Sequence, residues 1–326
     1  MKQPKYTSEQ LRQQFEDYLE NEAFAGFPEV LIQPTKHILQ IKGKRIRPML
    51  LLTACQAFGG DVQSAMGPAA TVEVFHNFSL VHDDIIDEAD IRRGQPTVHK
   101  VFGTYKAILA GDAMLIHTYN LLQKGPSEKL PELLPVYNQV AMQVIDGEQH
   151  DVDFEDLPEV TAEEYMKMIE YKTSVLLAAS LHLGSIIGNA SKEDQKLIYD
   201  FGLKLGLAFQ IKDDYLDSFG DAATFGKRIG GDILMNKKTY LLVTALGLAG
   251  QKDRQTIFDL FEEKDEEKKI TAMLALFEKL GVRQKTYTRM EELYKEAIHS
   301  LNALSITDEA IKPLLDLANS IYHRSF

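Results

Sequence analysis

Two acidic clusters with the same spacing stand far apart in the chain. Residues 83–87 read Asp-Asp-Ile-Ile-Asp, and residues 213–217 read Asp-Asp-Tyr-Leu-Asp. On a helix the last aspartate of each cluster shares a face with either of the first two. Like charges so crowded are unfavourable unless a cation neutralises them. Carboxylate oxygens suit Mg²⁺, which one or two carboxylates usually hold together with substrate phosphates. The pair therefore predicts a metal–diphosphate site built from two helices, whereas a solvated acidic helix face is the alternative for either cluster alone.

Basic residues complement these carboxylates. Residues 43–48 read Gly-Lys-Arg-Ile-Arg-Pro, which places three cations beside two residues that break regular backbone. Lys and Arg in a fixed turn can hold a phosphate, although a surface loop is the alternative. Arg92 and Arg93 follow the first acidic cluster, and further cations stand at Lys172, Lys227 and Lys237.

A histidine stands on the same helical run as the first acidic cluster. His76 precedes Asp83 by about two turns of helix. It can serve as a phosphate donor on the face of the metal cluster. The alternative is a core histidine with its hydrogen bonds satisfied inside the protein.

Composition limits the class of protein. The chain has 326 residues, of which 44 % are hydrophobic and 26 % are charged, with a formal charge of −12. This charge argues against a nucleic-acid partner, but local cations and bound metal still permit an anionic substrate. Cys55 is the only cysteine, which indicates a reducing compartment. The first residues show no secretory signal, and the apolar stretches fall short of the ~18 residues of a membrane span. We expect a cytoplasmic protein.

Hydrophobic residues recur with helical spacing along nearly the whole chain. Leu11, Phe15 and Leu19 form one apolar stripe, and residues 7–10 offer a capping box at its start. Other helices should begin after Thr161 and Ser191. No run alternates long enough to predict a strand. We therefore predict an all-α fold, with residues 1–326 as a single domain. The charged run 262–269 is interpreted as a solvated loop or helix start without a function.

Several motifs in a fixed order make the chain resemble the trans-isoprenyl diphosphate synthases. This group is the polyprenyl synthetase family of head-to-tail prenyltransferases, and the likeness is strongest to its short-chain geranylgeranyl and farnesyl diphosphate synthases. It extends by motif from about Ile38 to Tyr240. It rests on residues 43–48, Val-His-Asp-Asp-Ile-Ile-Asp at 81–87, Arg-Arg-Gly at 92–94, Leu-Ala-Gly-Asp at 109–112, Lys-Thr at 172–173 and Phe-Gln-Ile-Lys-Asp-Asp at 209–214.

The resemblance implies a bundle of helices around a deep central catalytic cavity, usually in a homodimer. It implies three Mg²⁺ ions, which would be held by Asp83, Asp84, Asp87, Asp213, Asp214 and Asp217. It assigns the diphosphate of an allylic substrate to Arg92, Lys172, Lys227 and Lys237. It assigns isopentenyl diphosphate to Lys44, Arg47, His76 and Arg93. Thr173 and Gln210 would join Lys172 at the reacting carbons. Glu148 stands where many relatives carry glutamine, so it and Asp151 are weaker candidates near the metals, and the role of Arg324 in the C-terminal tail stays open.

The residues upstream of Asp83 should set the length of the product. Phe78 is large enough to close an apolar tunnel, while Ser79 leaves room beside it. Relatives with this combination commonly make the twenty-carbon geranylgeranyl diphosphate, which is our prediction. Farnesyl diphosphate is the second choice. The alternative for Phe78 is an ordinary core aromatic.

Two other functions fit parts of the pattern. A class I terpene cyclase shares the fold and the first cluster, but its second metal site has a different motif and it needs no Lys44, Arg47 and His76. A catalytically silent subunit that regulates a heteromeric synthase would tend to have lost one acidic cluster, and both are intact here. The sequence therefore favours an active condensing enzyme.

Overall fold

The structure, a computed structural model, describes residues 5–41, 43–220 and 229–322. The helices up to residue 170 are α1 (Ser8–Asn21), α2 (Glu29–Gln40), α3 (Ile46–Ala57), α4 (Met66–Ile86), α5 (Val98–Phe102), α6 (Thr104–Leu122), α7 (Leu130–Asp156) and α8 (Ala162–Ile169). The later helices are α9 (Val175–Ile187), α10 (Lys192–Phe219), α11 (Gly231–Leu234), α12 (Tyr240–Leu248), α13 (Gln251–Phe261), α14 (Glu266–Lys279), α15 (Val282–Asn302) and α16 (Asp308–Tyr322). Short 3₁₀ turns cover Gln63–Ala65 and Ser127–Lys129, and a π-helical turn covers Glu170–Ser174. The predicted all-α class is confirmed.

Side chains at the predicted helix starts satisfy the free backbone groups there. The Thr7 hydroxyl accepts from the Gln10 backbone N–H, and the Gln10 side chain accepts from the Thr7 N–H. Thr161 and Glu164 form the same reciprocal pair before α8. Ser191 accepts from the Asp194 N–H as α10 begins. Such caps satisfy donors that a helix otherwise leaves unpaired, so these three predicted starts are confirmed.

By internal contacts the chain divides into two compact units. The first comprises Met1–Ala141, Ala179–Tyr199 and Leu304–Leu314. Within it, residues 66–75 of α4 are all buried. This helix packs chiefly against α6 and α3. At Gly111 of α6 an added Cβ would overlap the imidazole of His82, so glycine is needed for this close approach.

The second unit comprises Met142–Ala178, Asp200–Ala303 and Leu315–Phe326. Helices α11, α12, α13, α14 and α15 share one hydrophobic cluster. It includes Ile233, Leu242, Ile257, Phe277 and Val282. Within this unit α12 packs against α8 and α15, and α11 packs against α14. The described residues from Gly231 onward thereby share a hydrophobic core. The assignment of the whole chain to a single domain stays a prediction.

A two-stranded hairpin, which the sequence did not predict, follows α4. Strand β1 (Ile91–Arg92) pairs antiparallel with β2 (Gln95–Pro96). The two turn residues, Arg93 and Gly94, have φ angles of 51° and 76°. Positive φ at both positions is the signature of a type I′ turn, whose twist matches that of the strands. The hairpin is too short to show an alternating pattern, and its function is to place two arginines.

The charged run 262–269 begins a helix, as predicted. Asp265 caps α14 by accepting from the Lys268 backbone N–H at 3.1 Å. The prediction that the run is solvated was wrong for one residue, Lys269, which is only 4 % exposed. None of the helices in residues 5–41, 43–220 and 229–322 combines the length and the apolar character that crossing a membrane would require.

Candidate active site

The first acidic cluster lies at the end of α4. Asp84 is 1 % exposed, whereas Asp87, which follows the last residue of the helix, is exposed. The guanidinium of Arg92 donates to Asp83 Oδ2 at 2.6 Å and to Asp84 Oδ1 at 2.8 Å. Burial raises the pKa of Asp84, even though Arg92 opposes this shift. Asp84 Oδ2 is buried and accepts no hydrogen bond from the described residues. A buried carboxylate oxygen without a partner is costly, so Asp84 is suited to bind a cation.

The predicted cations of residues 44–47 divide into one structural residue and candidates for binding. Arg45 is buried, with φ 48°, and pairs with Glu73 at 2.7 Å and Glu16 at 3.1 Å. It also donates to the Leu39 carbonyl at 2.6 Å. Its guanidinium is therefore occupied within the protein. Lys44 is exposed, whereas Arg45, the left-handed residue that follows it, faces inward.

Three basic side chains crowd together beside that anchor. Burial lowers the pKa of Arg47 to about 10, and Arg93 adds to this effect while Glu73 opposes it. Burial also lowers the pKa of Arg93 and of His76, and the pKa of His76 is lowered further by Arg47 and Arg93. Arg47 Nε is buried and has no hydrogen-bond partner among the described residues. The structure thus brings together Arg47, His76 and Arg93, and this cluster would be stabilised by an anion.

Gly43 makes room for one member of this cluster. A Cβ at this position would lie 2.8 Å from Nη1 of Arg93. The hairpin turn therefore separates the neighbours Arg92 and Arg93. The first guanidinium meets the acidic cluster, while the second lies against the glycine of the basic motif. Two adjacent arginines can in this way serve two different anions.

The second acidic cluster lies in the last turns of α10. Asp214 is 5 % exposed and accepts from the Tyr165 hydroxyl, from the Tyr240 backbone N–H at 2.8 Å and from Gln210 Nε2 at 3.3 Å. Burial raises the pKa of Asp214 to about 7, against the effect of these donors. A proton and a metal ion would therefore compete for this carboxylate near neutral pH. Asp217 is tied to the next segment, because its Oδ2 accepts from the Asp232 N–H at 3.1 Å.

The π-helical turn between α8 and α9 presents the predicted Lys172 and Thr173. Lys172 Nζ donates to Glu148 Oε1 at 3.0 Å and to Asp151 Oδ2 at 2.7 Å. Thr173 Oγ1 donates to Gln210 Oε1 at 3.1 Å. The widened turn lets consecutive side chains reach α7 and α10, an irregularity often found at functional sites. Glu148 and Asp151, weaker candidates in the sequence, thus lie directly on the predicted lysine.

Two glycines allow the π-helical turn to approach its neighbours. A Cβ at Gly147 of α7 would overlap the backbone of Lys172, and one at Gly206 of α10 would lie 2.7 Å from Ser174 Cα. Sequence reasoning missed both residues. A glycine inside a helical pattern was the available signal, since it often marks close packing.

Three further contributors were also missed. Tyr165 and Tyr240 support Asp214, and the latter does so through its backbone, which no side-chain pattern can reveal. The third, Asp232, acts on Lys237. Desolvation lowers the pKa of Lys237, but the attraction of Asp151 and Asp232 more than offsets this and leaves the pKa raised.

Phe78 and Ser79 lie one turn before the first acidic cluster, as their spacing requires. Phe78 is 6 % exposed, and its ring centroid lies 4.9 Å from that of His82 and 5.4 Å from that of Phe75. Phe75 in turn lies 5.9 Å from Tyr137 of α7. Ser79 Oγ donates to the His76 carbonyl at 2.9 Å. A second aromatic layer therefore stands behind Phe78.

The donor chemistry fits Mg²⁺. Each acidic cluster offers only carboxylate oxygens, the ligands that this hard cation prefers. Asp84 Oδ2 supplies an unpartnered buried acceptor in the first cluster. No group of three or more His, Cys, Asp and Glu side chains in the described ranges converges closely enough to hold a metal by itself. The predicted residues Lys227 and Arg324 lie outside the described residues.

Comparison with known proteins places this geometry in context. The sequence profile of a family described as polyprenyl synthetase matches residues 28–277. The chain is 38 % identical over 292 residues to a short chain isoprenyl diphosphate synthase of Methanothermobacter thermautotrophicus, covering 89 % of this chain and 90 % of that protein. It is 35 % identical over 294 residues to a geranylgeranyl diphosphate synthase of Sulfolobus acidocaldarius, covering 88 % and 89 % of the two chains. A crystal structure of a geranylgeranyl pyrophosphate synthetase from Pyrococcus horikoshii matches with a TM-score of 0.90 and 35 % identity, over 97 % of this chain and 99 % of the other.

Proposed function

Because the chain belongs to the polyprenyl synthetase family, we propose that it condenses isopentenyl diphosphate head-to-tail with allylic diphosphates. The observation that carries this proposal is the cluster of Arg47, His76 and Arg93. Burial is the largest cause of the lowered pKa values of all three, and the charges of neighbouring arginines add to it, so a second anionic group would be stabilised there. An enzyme that ionises only one diphosphate has no use for such a cluster, whereas a condensing enzyme must bind two.

The residues would divide their tasks as follows. Arg47, His76, Arg93 and the exposed Lys44 would hold the diphosphate of isopentenyl diphosphate. Arg92, Lys172, Lys237 and Lys227 would hold that of the allylic substrate. The six aspartates of both clusters would bind about three Mg²⁺ ions. When bound, Mg²⁺ would neutralise charge on the departing pyrophosphate. We propose that the whole chain acts as one catalytic domain.

The residues around the π-helical turn would control the carbon chemistry. Thr173 and Gln210 are hydrogen-bonded to each other, so their oxygen atoms are held in fixed directions. Fixed dipoles stabilise a developing charge without reorganising during the reaction. The double bond of isopentenyl diphosphate would attack the allylic cation, and a proton would leave to restore the alkene. Holding both substrates in line supplies much of the rate acceleration.

Pyrophosphate release tests this function against its alternatives. The purified chain should release pyrophosphate only when isopentenyl diphosphate and an allylic diphosphate are both present with Mg²⁺. Rapid release from the allylic diphosphate alone would favour a terpene cyclase. No release from the chain alone with any allylic starter would favour a silent regulatory subunit.

We propose geranylgeranyl diphosphate as the product, with farnesyl diphosphate as the second candidate. Phe78→Ala should lengthen the product by about one isoprene unit, because the ring of Phe75 and that of Tyr137 stand behind it. The lengths of the prenyl chains made by the parent and the variant, compared at equal conversion, check this prediction. The ratio of products does not depend on how stable the variant protein is. Ser79→Ala is the matched control and should keep the original length. An unchanged product from the Phe78 variant would show that Phe78 is only a core residue.

We also propose that the chain forms a homodimer through α6. Tyr105, Ile108, Leu109 and Ile116 recur at helical spacing and are all exposed, with Tyr105 at 86 %. An apolar stripe of this kind marks an interaction surface, and a second copy is the simplest partner of a symmetric assembly. We place the enzyme in the cytoplasm, consistent with its single buried cysteine.

Charge on this stripe should prevent the dimer. Tyr105→Asp combined with Ile116→Asp should yield a monomer in sedimentation at micromolar concentration, because each carboxylate would have to be buried unpaired. Val30→Asp is the control, since Val30 is equally exposed, at 85 %, but lies on α2. A double variant that sediments like the parent protein would remove α6 as the interface.

A further inference from the structure

The segment from Gly230 to Thr239 carries Lys237 and is fixed at its start by the second acidic cluster. Asp217 accepts twice, through its carbonyl from the Gly230 N–H at 2.7 Å and through Oδ2 from the Asp232 N–H at 3.1 Å. Ile233 inserts into the hydrophobic cluster of the second unit. The Lys237 N–H donates to the Asp232 carbonyl at 2.9 Å. The position of Lys237 thus depends on how the rest of this segment is held.

A buried lysine holds the other end of the segment. Lys269 Nζ donates to the Leu234 carbonyl and to the Phe261 carbonyl, each at 3.2 Å. These carbonyls end α11 and α13, where the helix dipole is negative and attracts a cation. Burial lowers the pKa of Lys269. The two carbonyls accept hydrogen bonds from the buried ammonium, and Glu262 attracts it electrostatically, so the helix ends and this carboxylate together compensate the buried charge.

Asn236 joins the same junction. Its Nδ2 donates to the Phe261 carbonyl at 3.3 Å, so this oxygen accepts from both Asn236 and Lys269. Asn236 has φ 54°, a left-handed conformation that asparagine commonly adopts just after a helix. Lys237 is the next residue, and the direction in which it leaves the turn follows from that conformation.

We infer that Lys269 is a positioning residue that acts through Asn236 and the end of α11 to aim Lys237 at the allylic diphosphate. The inference rests on the proposed function for the role of Lys237 in binding. Lys269 has no contact with the site, because its ammonium faces the carbonyl ends of α11 and α13. The ammonium of Lys237 lies in the field of Asp151 and Asp232. A charged residue outside the site thereby fixes a charged residue inside it.

Lys269→Met removes the ammonium and keeps the apolar stem. It should raise the half-saturating concentration of the allylic diphosphate about tenfold, the cost of one weakened contact to a charged group, and leave that of isopentenyl diphosphate unchanged. Lys269→Arg should restore part of the loss. Lys268→Met is the matched control, because Lys268 is exposed and pairs with Glu263 at the surface. A loss of thermal stability with equal shifts for both substrates would overturn the inference.

A double variant separates this inference from the assignment of Lys237. If Lys269 acts through Lys237, then Lys269→Met should add no further shift in the Lys237→Ala background. If the shifts of the two single variants in half-saturating concentration multiply in full in the double variant, the inference is overturned.

Hydrogen exchange gives a readout that does not depend on activity. The amides of residues 231–237 should exchange at least about tenfold faster in Lys269→Met than in Lys268→Met, since local opening becomes easier. Unchanged exchange would overturn the inference while leaving the role of Lys237 in binding intact. Faster exchange together with a Lys237→Ala variant of normal affinity would show that Lys269 holds this segment, but it would overturn both the role of Lys237 in binding and the inference that Lys269 acts on the substrate through it.

Discussion

Replacing Asp84 by asparagine is expected to lower kcat by about a thousandfold, as the loss of electrostatic stabilisation at a departing group commonly does. Asp84 Oδ2 is a buried carboxylate oxygen without a hydrogen-bond partner in the described chain, so it is well placed to bind a cation. The substitution keeps the shape of the side chain and removes the charge. The loss should therefore lie in catalysis.

The thermal stability of the Asp84→Asn variant, unlike its kcat, should not decrease. Burial raises the pKa of Asp84, which means that folding disfavours its ionised form. A raised pKa contributes stability at low pH and loses it as pH rises through the folded-state pKa. At neutral pH the neutral asparagine avoids that cost, and Arg92 keeps its bond to Asp83 at 2.6 Å. The melting temperature of the metal-free variant should not fall.

Steady-state kinetics and thermal denaturation together check this prediction. Asp90→Asn is the control, since Asp90 is an exposed carboxylate close in sequence that pairs with Lys100 at 2.7 Å. It should keep parental activity. An Asp84→Asn enzyme that retains a tenth of the parental kcat would remove Asp84 from the metal site.

The second large effect is expected at Arg47. Arg47→Met should raise the half-saturating concentration of isopentenyl diphosphate about 50-fold, because a hydrogen bond to a charged group contributes about 1.5–3 kcal/mol. The half-saturating concentration of the allylic diphosphate should stay unchanged. Arg47 is partly buried, and desolvation together with the nearby charge of Arg93 lowers its pKa to about 10, so removing its charge removes an unfavourable contribution to folding. The variant should therefore be at least as stable as the parent.

Arg45 provides the contrast, because it is the same residue type two positions earlier. It pairs with Glu73 at 2.7 Å in the interior, and breaking one side of a buried pair costs about 3–5 kcal/mol. Arg45→Met should lower the melting temperature, whereas Arg47→Met should not. If Arg47→Met shifts both substrates equally, or if it destabilises the fold as Arg45→Met does, the assignment of the basic cluster to isopentenyl diphosphate is wrong.

The sequence reached far into this site because its chemistry recurs at short spacing. Two aspartate clusters, a basic motif and a pair of arginines can each be recognised within a few residues. The caps at Thr7 and Thr161 are equally local, and the predicted helix starts followed from them. What a pattern could not show is which of several neighbouring charges faces inward. Arg45 and Arg47 look alike in sequence, and only the left-handed backbone at Arg45 separates their roles.

The parts that sequence reasoning missed depend on distant partners. Asp217 accepts from the backbone of Asp232, and Asp214 accepts from the backbone of Tyr240, contacts in which the donor's side chain plays no part. Gly147 matters because another segment of backbone approaches it. The sequence predicts Lys269 to be solvated, but in the structure its ammonium donates to the carbonyl ends of two helices. Each of these depends on tertiary contacts that no local spacing encodes.

The most direct test of the account is the length of the prenyl chains that the purified protein makes. The chain should be incubated with isopentenyl diphosphate, dimethylallyl diphosphate and Mg²⁺, with a parallel reaction containing a chelator. The account predicts a twenty-carbon diphosphate that forms only in the presence of free metal. A fifteen-carbon or much longer product would contradict the role given to Phe78. The absence of any condensation product, with metal present and the protein folded, would contradict the proposed function itself.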